Sequence, residues 1–258
     1  MNSTMRPRLL ALAAAALLAG CGADSSVSPS TPVSLDEVFK ELSLPAISSA
    51  TSAAPGLAVN PLAGGPVIPT GCSYALASQS FVCPSVTQAG FTFSQNYQLL
   101  DASGTPLALF DATSLAAVRV RSTTTGTETD AAGSFTIDGQ SDGTLSGLQT
   151  SRHVLNGTST MNISGTYTAG TSSLSMTSTM TTTTSDLVIP PSSSTNKYPL
   201  SGTIAIDGTS TSFIPGLPST THMVLTFDGT SKVKVTINGV ALAGCSTIDL
   251  SGTTPGCS

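Results

Sequence analysis

Apolar and polar residues alternate along most of the chain from Cys72 onward. The alternating apolar positions include Phe91, Phe93, Tyr97, Leu99, Val118, Val120, Met161, Ile163, Met176, Met180, Met223, Leu225, Phe227, Val233, Val235 and Ile237. A period of two places one set of side chains on a buried face and the other in solvent, which is typical of antiparallel sheets. The pattern predicts an all-β antiparallel meander of about eight to eleven strands. We expect it to form a sandwich or a curled half-barrel.

Turn dipeptides lie between the alternating runs. They are Asp138-Gly139, Asn156-Gly157, Asp207-Gly208, Asp228-Gly229 and Asn238-Gly239. Asn-Gly and Asp-Gly tolerate the positive φ angles of type I′ turns, so each of these pairs predicts the turn of a β-hairpin.

A short helix is predicted before the alternating region. Ser34 and Glu37 match a capping box, and Pro45 ends the segment. An apolar stripe follows at helical spacing, formed by Leu35, Val38, Phe39 and Leu42. We expect the stripe to pack on the core of the domain rather than on a membrane or a partner. Residues 34–70 are therefore interpreted as one amphipathic helix with a Pro/Gly-rich connector, and residues 71–258 as a single antiparallel β-domain.

The first twenty residues have the features of a secretory signal peptide. Arg6 and Arg8 precede an apolar stretch over residues 9–18, and the small residues Ala19 and Gly20 follow it. The stretch is too short to cross a bilayer, because a spanning helix needs about 20 apolar residues. Residues 1–20 are therefore expected to be removed on export.

The residues Leu18-Ala19-Gly20-Cys21 resemble the lipobox of bacterial lipoproteins. This resemblance implies that Cys21 becomes the acylated first residue of the mature chain and attaches it to a membrane. Residues 21–33, which are polar and contain proline, would then form a lipidated flexible tether. Gly22, rather than Asp, follows the cysteine, which in Gram-negative lipoproteins resembles a signal for the outer membrane. A cell-envelope location is expected.

Four cysteines remain after Cys21, namely Cys72, Cys83, Cys245 and Cys257. An even number in an exported chain predicts disulfides. Three connectivities are possible, and pairing Cys72 with Cys83 and Cys245 with Cys257 is favoured because each bond closes a short loop. Metal binding is the competing interpretation, but the spacing of the cysteines and the lack of a nearby His do not support it. No metal and no cofactor are expected.

Composition and motifs exclude several classes of function but do not identify one. The net charge is -5, only 9% of residues are charged, and Trp is absent, which argues against a nucleic-acid partner and against a stacking platform. The two histidines, His153 and His222, are expected to face solvent rather than to act in catalysis. Residues 138–143 resemble the start of a calcium loop, but a hairpin turn explains them better. The basic residues Arg119, Arg121 and Arg152 are expected on a solvated sheet face.

These observations predict a non-enzymatic, membrane-anchored lipoprotein. Its one-sided sheet is expected to bind a lipid or another hydrophobic ligand or peptide, and an internal apolar cavity would favour this role. The alternative is a structural or adhesive surface module, which a filled core without a pocket would favour. A hydrolase is the least favoured interpretation. A protein partner cannot be named from the sequence.

Overall fold

The computed structural model describes residues 71–88, 90–129, 133–169, 172–190, 194–211, 220–241, 246–251 and 256–257. The helix predicted from Ser34, the tether and Cys21 lie outside these residues. All the regular elements described are strands, and none of the described residues forms a helix that could span a membrane.

Fifteen strands are defined within the described residues. They are β1 (Ser73–Ala75), β2 (Ser80–Val82), β3 (Val86–Gln88), β4 (Phe91–Leu100), β5 (Pro106–Leu107), β6 (Ala117–Thr129), β7 (Gly133–Ser146), β8 (His153–Ala169), β9 (Ser172–Ile189), β10 (Ser201–Thr211), β11 (Thr220–Phe227), β12 (Lys232–Ile237), β13 (Val240–Ala241), β14 (Thr247–Asp249) and β15 (Gly256–Cys257).

The strands form one antiparallel sheet that does not close. Its main path runs β1-β2-β4-β6-β7-β8-β9-β10-β11-β12-β14-β15, while β3 and β5 pair with β4 and β13 pairs with β12. The predicted all-β antiparallel class is confirmed. Within the described part of the chain the strands make one open sheet rather than the two facing sheets of a sandwich. There are more strands than expected because seven of them contain only two or three residues.

A row of aliphatic side chains crosses the middle of the sheet on one face. Cross-strand pairing aligns five residues on neighbouring strands, in the order Leu99, Val118, Leu145, Leu155 and Leu187. Leu99 is 0% exposed, and the others are buried or half-buried. Burial of each such side chain contributes about 1.5–3 kcal/mol, so this row is a major source of stability.

Two hydrophobic clusters extend from this row toward the two edges of the sheet. One contains Leu155, Leu187, Ile204, Ile206, Met223, Leu225, Phe227, Val233, Val235 and Ile248. The other contains Phe81, Tyr97, Leu99, Leu115, Val118, Val120 and Leu148. Leu145 packs against both clusters, and it therefore joins the two halves of the core.

A β-bulge interrupts the long β8–β9 pair at Asp186. The register shifts between Leu155 and Gly157, and Asp186 has a φ of 49°. The side-chain oxygen of Asn156 accepts a hydrogen bond of 2.7 Å from the Asp186 backbone N–H. On the other side, Gly202 has a φ of 109°, and a Cβ there would lie 2.5 Å from the backbone oxygen of Asp186. Asn156 and Gly202 thus accommodate the extra residue from opposite sides.

Three of the five predicted hairpin turns are wrong. Asp138-Gly139, Asn156-Gly157 and Asp207-Gly208 lie inside β7, β8 and β10, whereas Asp228-Gly229 and Asn238-Gly239 do form turns. A dipeptide that tolerates positive φ does not require it. In-phase alternation on both sides of Gly139 and Gly157 supports one long strand in each case, and ladder pairing decides the conformation at all three sites.

Gly126 lies where neighbouring strands leave no room for a side chain. A Cβ at this position would lie 2.6 Å from the Phe91 Cα and 2.8 Å from its ring, and it would also meet the Gly90 carbonyl. We predict that Gly126→Ala lowers the free energy of unfolding by about 1–3 kcal/mol, because backbone must move. Gly208→Ala is the matched control, since a Cβ there meets nothing within 4 Å. Urea unfolding measures both, and equal effects would contradict the prediction.

Candidate binding surface

A second group of apolar side chains lies on the same face, farther along the long strands, and stays partly exposed. We call it the distal apolar zone, and it consists of Phe93, Phe135, Met161, Ile163, Met176 and Met180. It holds three of the six methionines of the chain. Methionine is flexible and polarizable, which suits it to irregular or variable apolar partners.

Glycines flank the methionines at the centre of the distal apolar zone. Cross-strand pairing gives the order Gly139, Met161, Met180 and Gly208. A Cβ at Gly208 would meet nothing within 4 Å, so the space beside Met180 is open. Met180 also packs against the larger of the two core clusters. The zone therefore contacts the larger core cluster through Met180 and is partly exposed elsewhere.

A polar band separates the distal apolar zone from the aliphatic row. It consists of Gln95, Ser122, Ser141, Ser159 and Thr182, which pair across five neighbouring strands. The hydroxyls of Ser122 and Ser141 are 2.7 Å apart, and the Tyr97 hydroxyl donates to Gln95 at 2.9 Å. Burial raises the pKa of Tyr97, so its hydroxyl remains a donor over a wider pH range. The sequence analysis did not predict this band, although its signal is present: in three successive strands a serine occupies a position that the alternation assigns to an apolar residue.

Two depressions on the surface are shallow and open. One of about 410 Å³ lies where strands end, lined by residues including Leu100, Ala117 and Gly147. The other, of about 350 Å³, lies beside Arg119 and Asp142. Neither is the enclosed apolar cavity that would favour an engulfed ligand.

The opposite face of the sheet is polar and rich in Thr. Hydroxyl pairs link neighbouring strands, such as Thr127 with Thr136 and Thr177 with Thr211, each at 2.9 Å. This agrees with the expected division into one apolar and one wet face. Cross-strand threonine pairs of this kind each contribute a few tenths of a kcal/mol to about 1 kcal/mol.

Arg119 and Arg121 lie on the polar face, as predicted, and share one carboxylate. Arg119 binds Asp142 through two bonds of 2.7 and 2.5 Å, and Arg121 Nε donates to the same group at 3.1 Å. The hydrogen bond from Arg119 lowers the pKa of Asp142 most, and the bond from Arg121 adds to it. Arg152 lies in the turn before β8.

The residues that resemble a calcium loop are neither a loop nor a turn. Asp138, Gln140 and Asp142 occupy alternate positions on one face inside β7, and Asp142 is engaged by the two arginines. Extended backbone cannot wrap its ligands around one ion as the calcium loop does. Among the described residues no group of three metal-binding side chains is found.

The two histidines occupy different environments. His153 is only 7% exposed, so its predicted solvent-facing position is wrong. It shares the inner face with Leu155, and its buried Nε2 has no hydrogen-bond partner among the described residues, which costs about 1–3 kcal/mol. His222 is exposed as predicted, and its Nδ1 lies 2.6 Å from Asp207 Oδ1. Within the described part of the chain no serine or threonine hydroxyl is hydrogen-bonded to His222, so the pair does not form a triad.

One of the two favoured disulfides is present. Cys72 and Cys83 are bonded, with their Cα atoms 4.0 Å apart and eleven residues apart in sequence. The bond ties the start of the sheet to the end of β2. Cys245 and the side chain of Cys257 lie outside the described residues, so their pairing stays a prediction.

Comparison with protein-family models, curated proteins and solved structures finds no match to this chain.

The Arg119–Asp142–Arg121 group gives a pH-dependent contribution to stability. The pKa of Asp142 is lower in the folded state than its ordinary value of about 3.9. Its contribution to the free energy of unfolding is therefore complete at pH values above about 3.9 and is lost as the pH falls through the folded-state pKa. We predict that Asp142→Asn lowers the free energy of unfolding at neutral pH by up to about 1 kcal/mol, since the pair is partly exposed.

Urea unfolding at neutral and acidic pH measures this difference, which should shrink once the pH is below the folded pKa. Asp138→Asn is the matched control, because Asp138 is on the same face of β7 and makes no ion pair within the described residues. A difference that is constant with pH, or equal in the control, would show that the ion pairs are not its source.

Proposed function

We propose that this protein is a lipid-anchored module of the cell envelope that binds a hydrophobic ligand or peptide, without catalysis, on the distal apolar zone. The observation that carries the proposal is the partial exposure of six large apolar side chains, grouped on one face of an open sheet around the buried Phe91 and Ile137. Apolar surface grouped in this way is typical of an interaction site.

The form of the surface favours an extended ligand. Both depressions are shallow, so an occupant would lie on the sheet rather than inside it. The polar band of Gln95, Ser122, Ser141, Ser159 and Thr182 would limit it on one side. An acyl chain or an apolar peptide segment has the required shape.

Two observations support the anchored, exported state. The residues Leu18-Ala19-Gly20-Cys21 carry the lipobox resemblance. The Cys72–Cys83 disulfide fits an oxidising compartment, since such bonds persist outside the cytosol. The membrane partner would be reached through lipid on Cys21, and the glycine at position 22 favours the outer membrane in a Gram-negative host.

The second candidate function is a structural or adhesive surface module. It is favoured by the shallowness of the depressions and by the neutral hydroxyl ladder of the polar face. The two candidates share the anchor and differ in whether the distal apolar zone takes up a ligand.

The anchor is tested by Cys21→Ser. We predict loss of metabolic palmitate labelling and release from the membrane fraction, because multiple acyl chains provide the stable attachment. Cys72→Ser is the control, since it removes a different cysteine and should keep the label. Retained labelling in Cys21→Ser would exclude lipidation at this residue.

Ligand binding is tested on residues 22–258, exported to an oxidising periplasm behind a cleavable signal. Met161→Lys combined with Met180→Lys should weaken binding of the neutral dye N-phenylnaphthylamine at least about tenfold, equal to about 1.4 kcal/mol, because an unpaired charge disfavours an apolar ligand. Native mass spectrometry of the unmodified protein should show an added mass that identifies a co-purified lipid or peptide.

The matched control is Thr160→Lys combined with Thr181→Lys. These residues pair with each other on the same two strands and on the opposite face. The control adds the same charge without touching the distal apolar zone, so its dye affinity should be unchanged. Equal loss in both variants, or no dye binding to the unmodified protein, would favour the structural or adhesive candidate.

A further inference from the structure

We infer that the segment Ser34–Leu44 of the same chain docks on the distal apolar zone. The inference concerns access to the zone of the proposed function, but it rests on the zone itself and not on the identity of a ligand. Three features of the chain carry it: the chemistry of the segment, its dimensions, and the length of the connector.

The segment needs an apolar surface in order to be helical. Its predicted helix is about eleven residues long, and isolated helices shorter than about 12–15 residues are marginal in water. Leu35, Val38, Phe39 and Leu42 form one stripe, and the opposite side carries Asp36, Glu37, Lys40 and Glu41. Helical stability therefore depends on burying the stripe against something apolar.

The distal apolar zone offers a surface of matching length. Phe93 in β4 and Met180 in β9 are separated by four strand-to-strand steps along the order β4-β6-β7-β8-β9. At about 4.8 Å per step this gives about 19 Å. A helix of about eleven residues is about 16 Å long, so it crosses the zone with its stripe over the methionines.

The connector is long enough to allow the docking. About 27 residues separate Pro45 from β1, and an extended chain reaches about 3.3 Å per residue, or about 90 Å. β1 is two strands from β4 in the sheet, a lateral distance of only about 10 Å. The segment thus reaches the zone of its own sheet with much length to spare, which favours the same chain over a second copy.

The absence of Trp from the chain provides a clean test on ligand-free residues 22–258. Phe39→Trp places the only indole on the apolar stripe, and Lys40→Trp places it on the polar side as a matched control. We expect emission at shorter wavelength and weaker acrylamide quenching for Phe39→Trp than for Lys40→Trp. Identical emission from the two variants would overturn the inference.

A second pair of variants locates the docking site. Adding Met161→Gln and Met180→Gln should shift the Phe39→Trp emission toward that of Lys40→Trp, whereas adding Thr160→Gln and Thr181→Gln should not. Circular dichroism verifies that the sheet remains folded. A short-wavelength emission that survives the methionine changes would mean that the segment packs elsewhere, and one that disappears on dilution would mean that a second copy is the occupant. Either result overturns the inference.

Deleting residues 34–45 separates this inference from the proposed function. If both hold, the deletion strengthens dye binding, because the competing segment is gone, and the Met161→Lys and Met180→Lys changes abolish the gain. If the Phe39→Trp emission indicates docking but the shortened chain binds no dye, then the segment docks on the zone and only the proposed function is wrong. Dye binding that is unchanged by the deletion would contradict competition for the zone.

Discussion

The row of aliphatic side chains from Leu99 to Leu187 is the interaction on which the rest of the fold depends. It joins five successive strands, and Leu145 at its centre contacts both hydrophobic clusters. Within the described residues no second sheet faces this one, so these side chains pack on neighbours of the same face and on Leu115 and Leu148 from the connections between strands. The Asp186 bulge preserves this row, because it lets Leu187 and Thr184 share the inner face with Leu155.

The alternation of apolar and polar residues was sufficient to predict the fold class, because it directly records which side chains face inward. It also predicted the opposite placement of Val118 and Arg119. The turn-dipeptide rule, in contrast, failed at Asn156-Gly157, where the asparagine holds a bulge and the glycine permits close packing; a Cβ on Gly157 would lie 2.8 Å from the backbone oxygen of Asp142. Both roles depend on residues of other strands and are invisible to a local rule.

Only part of the candidate site could be predicted from the sequence. Met161, Ile163, Met176 and Met180 stand out by period, but their partial exposure depends on what the rest of the sheet covers. The polar band depends on register, since Ser122, Ser141 and Ser159 become neighbours only when three strands pair. The prediction for His153 was wrong for a different reason: it belongs to the buried phase of β8, but its polarity indicated a solvent-facing side chain. Function therefore has to be argued from the distal apolar zone and the anchor rather than from a motif.

The hydroxyl ladder of the polar face has a consequence for the conditions that the protein can tolerate. Pairs such as Thr127 with Thr136 and Thr177 with Thr211 are neutral, so they neither titrate nor weaken when ions screen charges. Only 9% of the residues are charged. These hydroxyl pairs would therefore keep their structure and their water-binding character through large changes in salinity and acidity, whereas the Arg119–Asp142–Arg121 group on the same face would not.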